Sequence, residues 1–205
     1  SAAERPLQLL LEGELLVGPM TLVQAGLRSG AKLEAVRGEA RALLTASADG
    51  ACSLWCAETG VRLQTFRHRE WVNSAAASPD GRLALCALFD GTAELWSLAS
   101  GAHLRTLTGH GGPVLSAAFS PDGAVMVTGS YDRTARLWSA ESGECTLSLI
   151  GHSNGVMSVA FSLRGHLLAT ASADHTAKLW SPVSGECLRT LAGHTDEVRS
   201  AVFSP

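Results

Sequence analysis

Residues 109–150 read GHGGPVLSAAFSPDGAVMVTGSYDRTARLWSAESGECTLSLI, a unit of 42 residues from which the rest of the chain can be understood. The unit contains turn sequences such as Ser-Pro-Asp-Gly at 120–123, where proline fixes φ, aspartate bonds its own backbone and glycine accepts a positive φ. Between the turns lie four short apolar or alternating runs, at 114–119, 124–130, 134–138 and 145–149. Runs of this length without a helical period predict four antiparallel strands and an all-β fold.

The unit recurs along the chain. Four tryptophans stand 41 or 42 residues apart, and each follows an aspartate by six residues. Histidines at 68, 110, 152 and 194 keep a spacing of 42 residues. A period of this length indicates one supersecondary unit copied along the chain, whose apolar faces are buried only by stacking on neighbouring copies. The paired markers are Asp49 and Trp55, Asp90 and Trp96, Asp132 and Trp138, and Asp174 and Trp180.

These markers resemble the WD-repeat family of β-propellers, in which each repeat carries a Gly-His signature, a Trp-Asp signature and four strands per blade. Gly-His pairs stand at 109–110, 151–152 and 193–194, whereas Arg67 replaces the glycine before His68. The Trp-Asp dipeptide itself is absent, because the four tryptophans precede a cysteine or a serine. The resemblance implies propeller blades that are each a four-stranded antiparallel sheet, with three complete blades, one degenerate blade and one truncated blade.

The repeat divides the chain into blades of unequal quality. The copy before the three complete ones is degenerate, since Leu27 stands at its histidine position and Val36 at the position of Phe119. The chain starts with Ser1 and its last copy stops inside a hairpin turn, so we expect a window from a longer WD-repeat polypeptide. A small closed ring, with an N-terminal strand paired to residues 198–203, is the alternative. The expected parts are the last strand of a preceding blade or a linker at 1–30, with that strand at 20–25, a degenerate blade at 31–67, blades at 68–109, 110–151 and 152–193, and the first strand of a truncated blade at 194–205.

Composition and charge narrow the function classes. Apolar residues make up 46% and charged residues 17% of the 205, which is ample for a packed core. The net charge of −3 offers no electrostatic footprint for nucleic acid or an anionic membrane. The apolar stretch 7–23 is interrupted by glycines and glutamates, so it predicts neither a membrane span nor a signal peptide. The five cysteines lack metal-ligand spacing and are interpreted as reduced thiols, which favours a cytoplasmic or nuclear protein without metal or cofactor.

A histidine, a hydroxyl and a carboxylate recur in the blades, a combination that also serves nucleophilic catalysis. Cys86, His68 and Asp90 would be the corresponding cysteine system in one copy. The family resemblance implies instead a buried hydrogen-bond network that ties the turn between the second and third strands to the loop between blades. A hydroxyl with satisfied partners is a fixed polar strut and not a nucleophile. The expected network residues are His110, Thr128, Asp132 and Trp138, then His152, Thr170, Asp174 and Trp180, with His68, Asp90 and Trp96 as a weaker set because Cys86 replaces threonine.

Function is therefore expected at the surface, where loops vary without disturbing the blades. The resemblance implies that the face bearing the inter-blade loops docks partners. We predict a non-catalytic scaffold that binds protein or peptide partners rather than nucleic acid or membrane, and that self-associates through open blade edges when isolated. The alternatives are the sensor or autoinhibitory propeller of a larger signalling ATPase, a ribonucleoprotein component, and an enzyme using Cys86. The candidate partner-binding residues are Phe89, Tyr131, Trp71, Asn73, Leu115, Met157, His175 and Arg199.

Overall fold

The computed structural model describes residues 8–11, 14–16, 34–36 and 42–204. Within these ranges the regular structure consists of β-strands joined by turns, so the all-β prediction is confirmed. No helix in the described part of the chain is long and apolar enough to cross a membrane. The strands are β1 Gln8–Leu11, β2 Glu14–Leu16, β3 Glu34–Val36, β4 Ala42–Ala46, β5 Ala51–Cys56, β6 Arg62–Arg67, β7 Val72–Ala77, β8 Leu83–Leu88, β9 Ala93–Ser97, β10 His103–Leu107, β11 Val114–Phe119, β12 Val125–Ser130, β13 Thr134–Ser139, β14 Cys145–Ile150, β15 Val156–Phe161, β16 Leu168–Ser172, β17 Thr176–Trp180 and β18 Cys187–Ala192.

Three four-stranded antiparallel sheets follow one another: the second blade β7–β10, the third blade β11–β14 and the fourth blade β15–β18. Within each blade the strands pair in chain order, as successive hairpins require. In the third blade the first hairpin is closed by Ser120, whose Oγ accepts the Val125 N–H at 2.9 Å. The N–H of Gly123 donates to the Ser120 carbonyl at 2.8 Å, and Gly123 has a φ of +74°. The predicted four-stranded blade is confirmed in all three complete copies.

The degenerate copy differs from its expected form. Its sheet, the first blade, contains β4, β5 and β6, with no fourth strand among the described residues. Val36, the expected equivalent of Phe119, lies in β3, which pairs with β1 so that Gln8 faces Val36. This places it in a separate sheet of order β2-β1-β3. The Ser-x-x-Gly turn that joins the first two strands of the other blades is replaced by Arg-Gly-Glu-Ala at 37–40, so no hairpin sequence directs β3 onto β4.

The expected first strand of a truncated blade is not formed either. Residues 194–204 are described and contain no strand. The Val198 N–H donates to the Ser172 carbonyl at 3.0 Å, which attaches this segment to the end of β16. A strand is stabilised by the backbone groups of its neighbour, and the described residues supply no ladder partner here. The small ring closed through residues 198–203 is therefore not seen, while Leu27 and the strand expected at 20–25 lie outside the described residues.

The apolar core lies between adjacent blades, which stack face to face. Leu85 and Leu95 of the second blade share a buried cluster with Met126 and Trp138 of the third. The third and fourth blades enclose an equivalent cluster that includes Leu137 and Trp180. The first and second blades enclose a third cluster. Each face is buried only by the next copy, as expected for a stacked repeat.

Contacts between neighbouring blades also recur at their outer edge. Gly143, in the turn before β14, has a φ of +77°, and a β-carbon built there would lie 2.7 Å from Cδ of Arg105 in the preceding blade. At Gly185, one blade further on and with a φ of +73°, a β-carbon would lie 3.5 Å from Cδ2 of Leu149 in the preceding blade, an ordinary van der Waals distance. At both positions the positive φ favours glycine.

Candidate functional site

The hydrogen-bond network of the third blade connects four side chains. His110 Nδ1 lies 2.8 Å from Oδ2 of Asp132, and His110 Nε2 lies 2.8 Å from Oγ1 of Thr128. Trp138 Nε1–H donates to the same Thr128 oxygen at 2.8 Å. The second carboxylate oxygen of Asp132 accepts the N–H and the hydroxyl of Thr134. The structure therefore brings together the four residues that the sequence analysis grouped in this blade.

Electrostatics decide the protonation states in this network. Burial lowers the pKa of His110 below its ordinary value, and it outweighs the nearby Asp132 carboxylate. Burial alone would raise the pKa of Asp132, but hydrogen bonds from Thr134, Gly111 and His110 lower it to about 2. His110 is thus neutral at neutral pH, with its Nδ1–H donated to Asp132. Its Nε2 accepts the Thr128 hydroxyl proton, and Thr128 accepts from tryptophan, so each donor meets an acceptor.

The fourth blade repeats this arrangement with nearly the same distances. His152 lies 2.7 Å from the Asp174 carboxylate through Nδ1 and 2.7 Å from the Thr170 hydroxyl through Nε2. Trp180 donates to Thr170 at 2.8 Å. Burial lowers the pKa of His152, while hydrogen bonds from Thr176 and His152 hold the pKa of Asp174 well below its usual range despite burial.

The network ties a loop to a turn. Asp132 accepts the backbone N–H of Gly111 at 2.9 Å, in the loop that enters the blade, while its other oxygen holds the turn after β12. Ser130 strengthens the same junction by donating to the Gly112 carbonyl at 2.9 Å. Thr128 is fully buried and has both its donor and its acceptor functions occupied. Such a hydroxyl acts as a rigid support, and its burial leaves no room for a substrate to approach its oxygen.

The second blade departs from the expected network. His68 Nδ1 lies 2.7 Å from Oε2 of Glu94 and not against Asp90, which is exposed and accepts from Thr92 in its own turn. Trp96 Nε1–H also donates to Glu94, at 3.2 Å. Cys86, at the threonine position, is a weak hydrogen-bonding partner, so the longer carboxylate of Glu94 takes both roles. The expected set His68, Asp90 and Trp96 is corrected accordingly.

Glu94 is the residue that sequence reasoning missed in this blade. Arg136 and Lys178 stand at this position in the next two blades. The carboxylate in place of a cation was therefore the feature of the sequence that could have pointed to Glu94. Burial alone would raise the pKa of Glu94, but the hydrogen bond and charge of His68 more than offset it, so the pKa lies below its ordinary value. His68 Nε2 is buried without a hydrogen-bond partner. The second blade is therefore tied less completely than the third and fourth.

The first blade keeps only one part of the network. Trp55 Nε1–H donates to the Thr45 hydroxyl at 2.8 Å, and here Thr45 is exposed and Trp55 only half-buried. Asp49 accepts the N–H of Ala51 at 2.9 Å and stabilises its own turn. The histidine position, Leu27, lies outside the described residues.

An exposed aromatic pair occupies the face that carries these loops and turns. Trp71 and Phe89 stand with ring centroids 5.1 Å apart and an interplanar angle of 47°. Their side chains remain 54% and 46% exposed, and the Phe89 N–H donates to the Trp71 carbonyl at 3.0 Å. Tyr131 has the Phe89 position of the next blade and is 60% exposed, with its ring against Gly155. In the fourth blade the equivalent Ala173 is buried, so the aromatic surface belongs to the second and third blades.

The other candidate residues have different surroundings. Asn73 donates through Nδ2 to the Val114 carbonyl at 2.8 Å and so bridges two blades. Leu115 and Met157 are half-buried. His175 is exposed in a turn and has a φ of +69°. Arg133 holds the same position in the third blade and is likewise exposed, with a φ of +73°; it was not among the sequence candidates. Arg199 is exposed, 3.4 Å from the Glu197 carboxylate. The side chains of Trp71 and Phe89 therefore contact each other, whereas the Asn73 side chain is held between two blades by its hydrogen bond.

Cys86 does not have the surroundings of a nucleophile. Its side chain is fully buried, and the hydrogen-bonded Cys52 thiol together with burial raises its pKa. A reactive cysteine requires an accessible thiolate. In the described part of the chain no three histidine, cysteine, aspartate or glutamate side chains are grouped to hold a metal ion.

A known sequence profile, described as "WD domain, G-beta repeat", matches residues 60–97, 101–139, 143–181 and 185–205, more than half of the chain. The range 101–139 covers β10 of the second blade and β11 to β13 of the third. The sequence repeat is thus offset from the blade by one strand, so each of the first three matched ranges links two neighbouring blades. No curated protein sequence matches the chain.

Proposed function

The chain belongs to the WD-repeat family, whose repeats generally mediate protein–protein interactions, and from that premise we propose that it is a non-catalytic scaffold. Its partners are proteins or peptides that dock on the loop face, which bears the loops entering the blades and the turns between second and third strands. The observation that carries this proposal is the exposed aromatic pair of Trp71 and Phe89. Aromatic side chains at such positions are typical anchors of protein interfaces.

The support beneath the loop face favours binding over catalysis. The networks around His110 and His152 fix each loop to its turn with fully paired polar groups. A binding surface that is already ordered loses little conformational entropy when a partner docks. The same pairing leaves the threonine hydroxyls without the freedom that a catalytic group needs. These paired networks therefore order the loops of the third and fourth blades, beside the aromatic pair, whose own blade is held through Glu94.

The five cysteines are free, and Cys145 and Cys187 are exposed. Exposed free thiols persist in reducing compartments. This supports a cytoplasmic or nuclear location as part of the proposal.

The test is affinity capture from cell extract with three forms of the chain: wild type, the double variant W71A/F89A, and L163A. Leu163 is 76% exposed in a turn between first and second strands, at the opposite end of the strands from the loop face, which makes it a matched control for exposed apolar area. We expect W71A/F89A to lose proteins that wild type and L163A retain. Equal recovery by all three forms would refute docking through the aromatic pair.

A further inference from the structure

The interfaces between complete blades are built from the same pair of repeat positions. Leu107 of β10 and Met126 of β12 share the buried cluster between the second and third blades. Leu149 of β14 and Leu168 of β16 share the cluster between the third and fourth blades. Each closed interface therefore joins a leucine from the fourth strand of one blade to an apolar residue from the second strand of the next blade.

The two ends of the stack expose these same positions. Leu191 in β18 follows Leu107 and Leu149 at a spacing of 42 residues, and it is 48% exposed because no further blade covers the fourth in the described part of the chain. Leu43 in β4 stands two residues before the threonine of its blade, as Met126 does, and is 55% exposed. The chain thus carries the two halves of one blade interface at its opposite ends.

A lone first strand accompanies the exposed end of the fourth blade. Residues 198–203 read Val-Arg-Ser-Ala-Val-Phe, close to the Val-Leu-Ser-Ala-Ala-Phe of β11. Val198 is buried against the fourth blade, and its N–H donates to the Ser172 carbonyl at 3.0 Å. The Val72 N–H, at the start of β7, donates to the Ser47 carbonyl of the first blade in the same way, at 3.1 Å. The segment therefore lies where the first strand of a following blade begins.

The first blade lacks that strand. Its sheet contains β4, β5 and β6, which correspond to the second, third and fourth strands of the other blades. Among the described residues β4 pairs with β5 alone, so its other edge offers backbone groups to a further strand. The third blade indicates the register, because Ala118 of β11 pairs with Val127 of β12. The equivalent pair is Val202 opposite Leu44.

We propose that the partner of these surfaces is a second copy of the chain, in which residues 198–203 of one copy pair with β4 of the other and complete its first blade. The contact also brings Leu191 of the donor against Leu43 of the acceptor, as Leu107 meets Met126 inside the chain. The added strand contributes main-chain hydrogen bonds, and the repeat positions of its side chains select this edge.

A second copy satisfies both exposed ends at once. Within one chain the ends do not meet, since Leu43 and Val202 are 55% and 82% exposed. In a head-to-tail pair each copy donates its strand and receives the strand of the other, so both junctions close. With four blades from each copy the pair forms a ring of eight blades, which lies within the range known for propellers. This contact uses the blade faces and not the loop face.

Cysteines introduced into the full chain test the contact and its register. One preparation carries L44C and a second carries V202C, so a disulfide between these two positions in a mixture forms only between copies. R199C is the matched control for V202C, because Arg199 is exposed in the same segment but lies three residues out of register with Leu44. The mixtures are incubated in a glutathione redox buffer, and their disulfides are mapped by peptide mass spectrometry.

We expect a peptide that links residues 44 and 202 in the mixture of L44C with V202C, and no link from residue 44 to residue 199 in the control mixture. Wild type at the same concentration should have a mass by light scattering of twice the 21.3 kDa of one chain. A 44–202 link that forms only in the double variant L44C/V202C, at the mass of one chain, would overturn the proposal in favour of closure within a single chain. Absence of the 44–202 link, or equal linkage of V202C and R199C to residue 44, would also overturn it.

Discussion

At the scale of single residues, the buried histidine decides how firmly a loop is held. His152 has a partner on each ring nitrogen, and those partners are themselves paired. Removing the ring leaves the Asp174 carboxylate and the Thr170 hydroxyl short of a partner inside the protein. The cost of such unpaired buried groups exceeds the value of the hydrogen bonds themselves.

We expect His152→Ala to reduce the free energy of unfolding by about 1–3 kcal/mol because it leaves buried polar groups unpaired. Thr45→Ala should cost clearly less, since the Thr45–Trp55 hydrogen bond lies in a solvent-accessible place where water replaces the lost partner. Urea unfolding of the two variants beside wild type measures both effects. Equal losses would contradict the role assigned to His152.

The same histidines predict a loss of stability in acid. Burial lowers the folded-state pKa of His110 and His152 below the unfolded value of about 6.5, so the unfolded chain binds more protons as the pH falls through that value. Stability is therefore fully present above about pH 6.5 and declines below it. A second decline follows as the pH falls from the unfolded aspartate pKa, about 3.9, towards the folded pKa of Asp132, about 2.

The measurement is the urea midpoint of wild type and the double variant H110Q/H152Q from pH 8 to pH 5. The glutamines do not titrate, so the slope of stability against pH should become shallower in the variant. A slope as steep as that of wild type would assign the acid sensitivity to other groups.

Sequence reasoning grouped the residues of the third and fourth networks because every marker there occupies its expected place. It erred for His68 because it assumed that the histidine must meet the aspartate of its blade. A carboxylate one methylene longer and four residues further along reaches the same ring when threonine is missing. Side-chain reach and competition between acceptors are properties of three-dimensional packing, which spacing alone does not encode.

At the scale of elements, the second blade tests whether Glu94 replaces the missing threonine. We expect Glu94→Ala to destabilise by about 1–3 kcal/mol, because His68 and Trp96 lose their common acceptor. Adding C86T should recover part of this loss, since a hydroxyl at position 86 can accept from Trp96 as Thr128 does from Trp138. Lys178→Ala is the matched control, as Lys178 holds the same position and makes an exposed contact with Thr190.

The double-mutant cycle is read from urea unfolding of the single variants and the E94A/C86T combination. A positive coupling energy between positions 86 and 94 supports the replacement. Strict additivity of the two substitutions, or a loss in K178A as large as in E94A, would contradict it.

The turn after β5 predicts the most reactive cysteine. Cys56 stands where the other blades have Ser97, Ser139 and Ser181, whose hydroxyls each accept a backbone N–H three residues later. Hydrogen bonds from the Thr59 hydroxyl and from the Thr59 and Glu58 backbone lower the pKa of Cys56. We therefore expect Cys56 to be alkylated by iodoacetamide faster than the exposed Cys145, and Thr59→Val to slow it. Time-resolved peptide mapping measures these rates, and a faster reaction at Cys145 would contradict the prediction.

The strands themselves followed from local sequence, because alternation and the Ser-x-x-Gly turns specify hairpins over a few residues. The first blade was the exception. Val36 has the apolar character expected of a first strand, but the sequence after it lacks the Ser-x-x-Gly turn, and β3 pairs with β1. The sequence pattern of a segment predicts that it forms a strand, but it does not indicate which other strand it pairs with.

At the scale of the whole molecule, both ends of the stack present apolar groups. Leu43 and Val61 of the first blade are 55% and 57% exposed, while Leu191 of the fourth is 48% exposed. A blade face without a neighbour favours association. We propose that the 205-residue chain self-associates through these ends, and we expect its mass by light scattering to rise with concentration. The variant L43K/L191K should remain a monomer at concentrations where wild type associates, and equal masses for the two would refute association through these ends.

The central claim is that the aromatic pair of Trp71 and Phe89 anchors a protein partner on the loop face. The most direct measurement is the Kd of a captured partner, determined by titration calorimetry, for wild type, W71A/F89A and L163A. Interface anchors of this kind contribute about 2 kcal/mol or more, so we predict a loss of affinity of at least about thirtyfold for W71A/F89A and no change for L163A. An unchanged Kd in W71A/F89A, with its melting temperature equal to that of wild type, would contradict the claim.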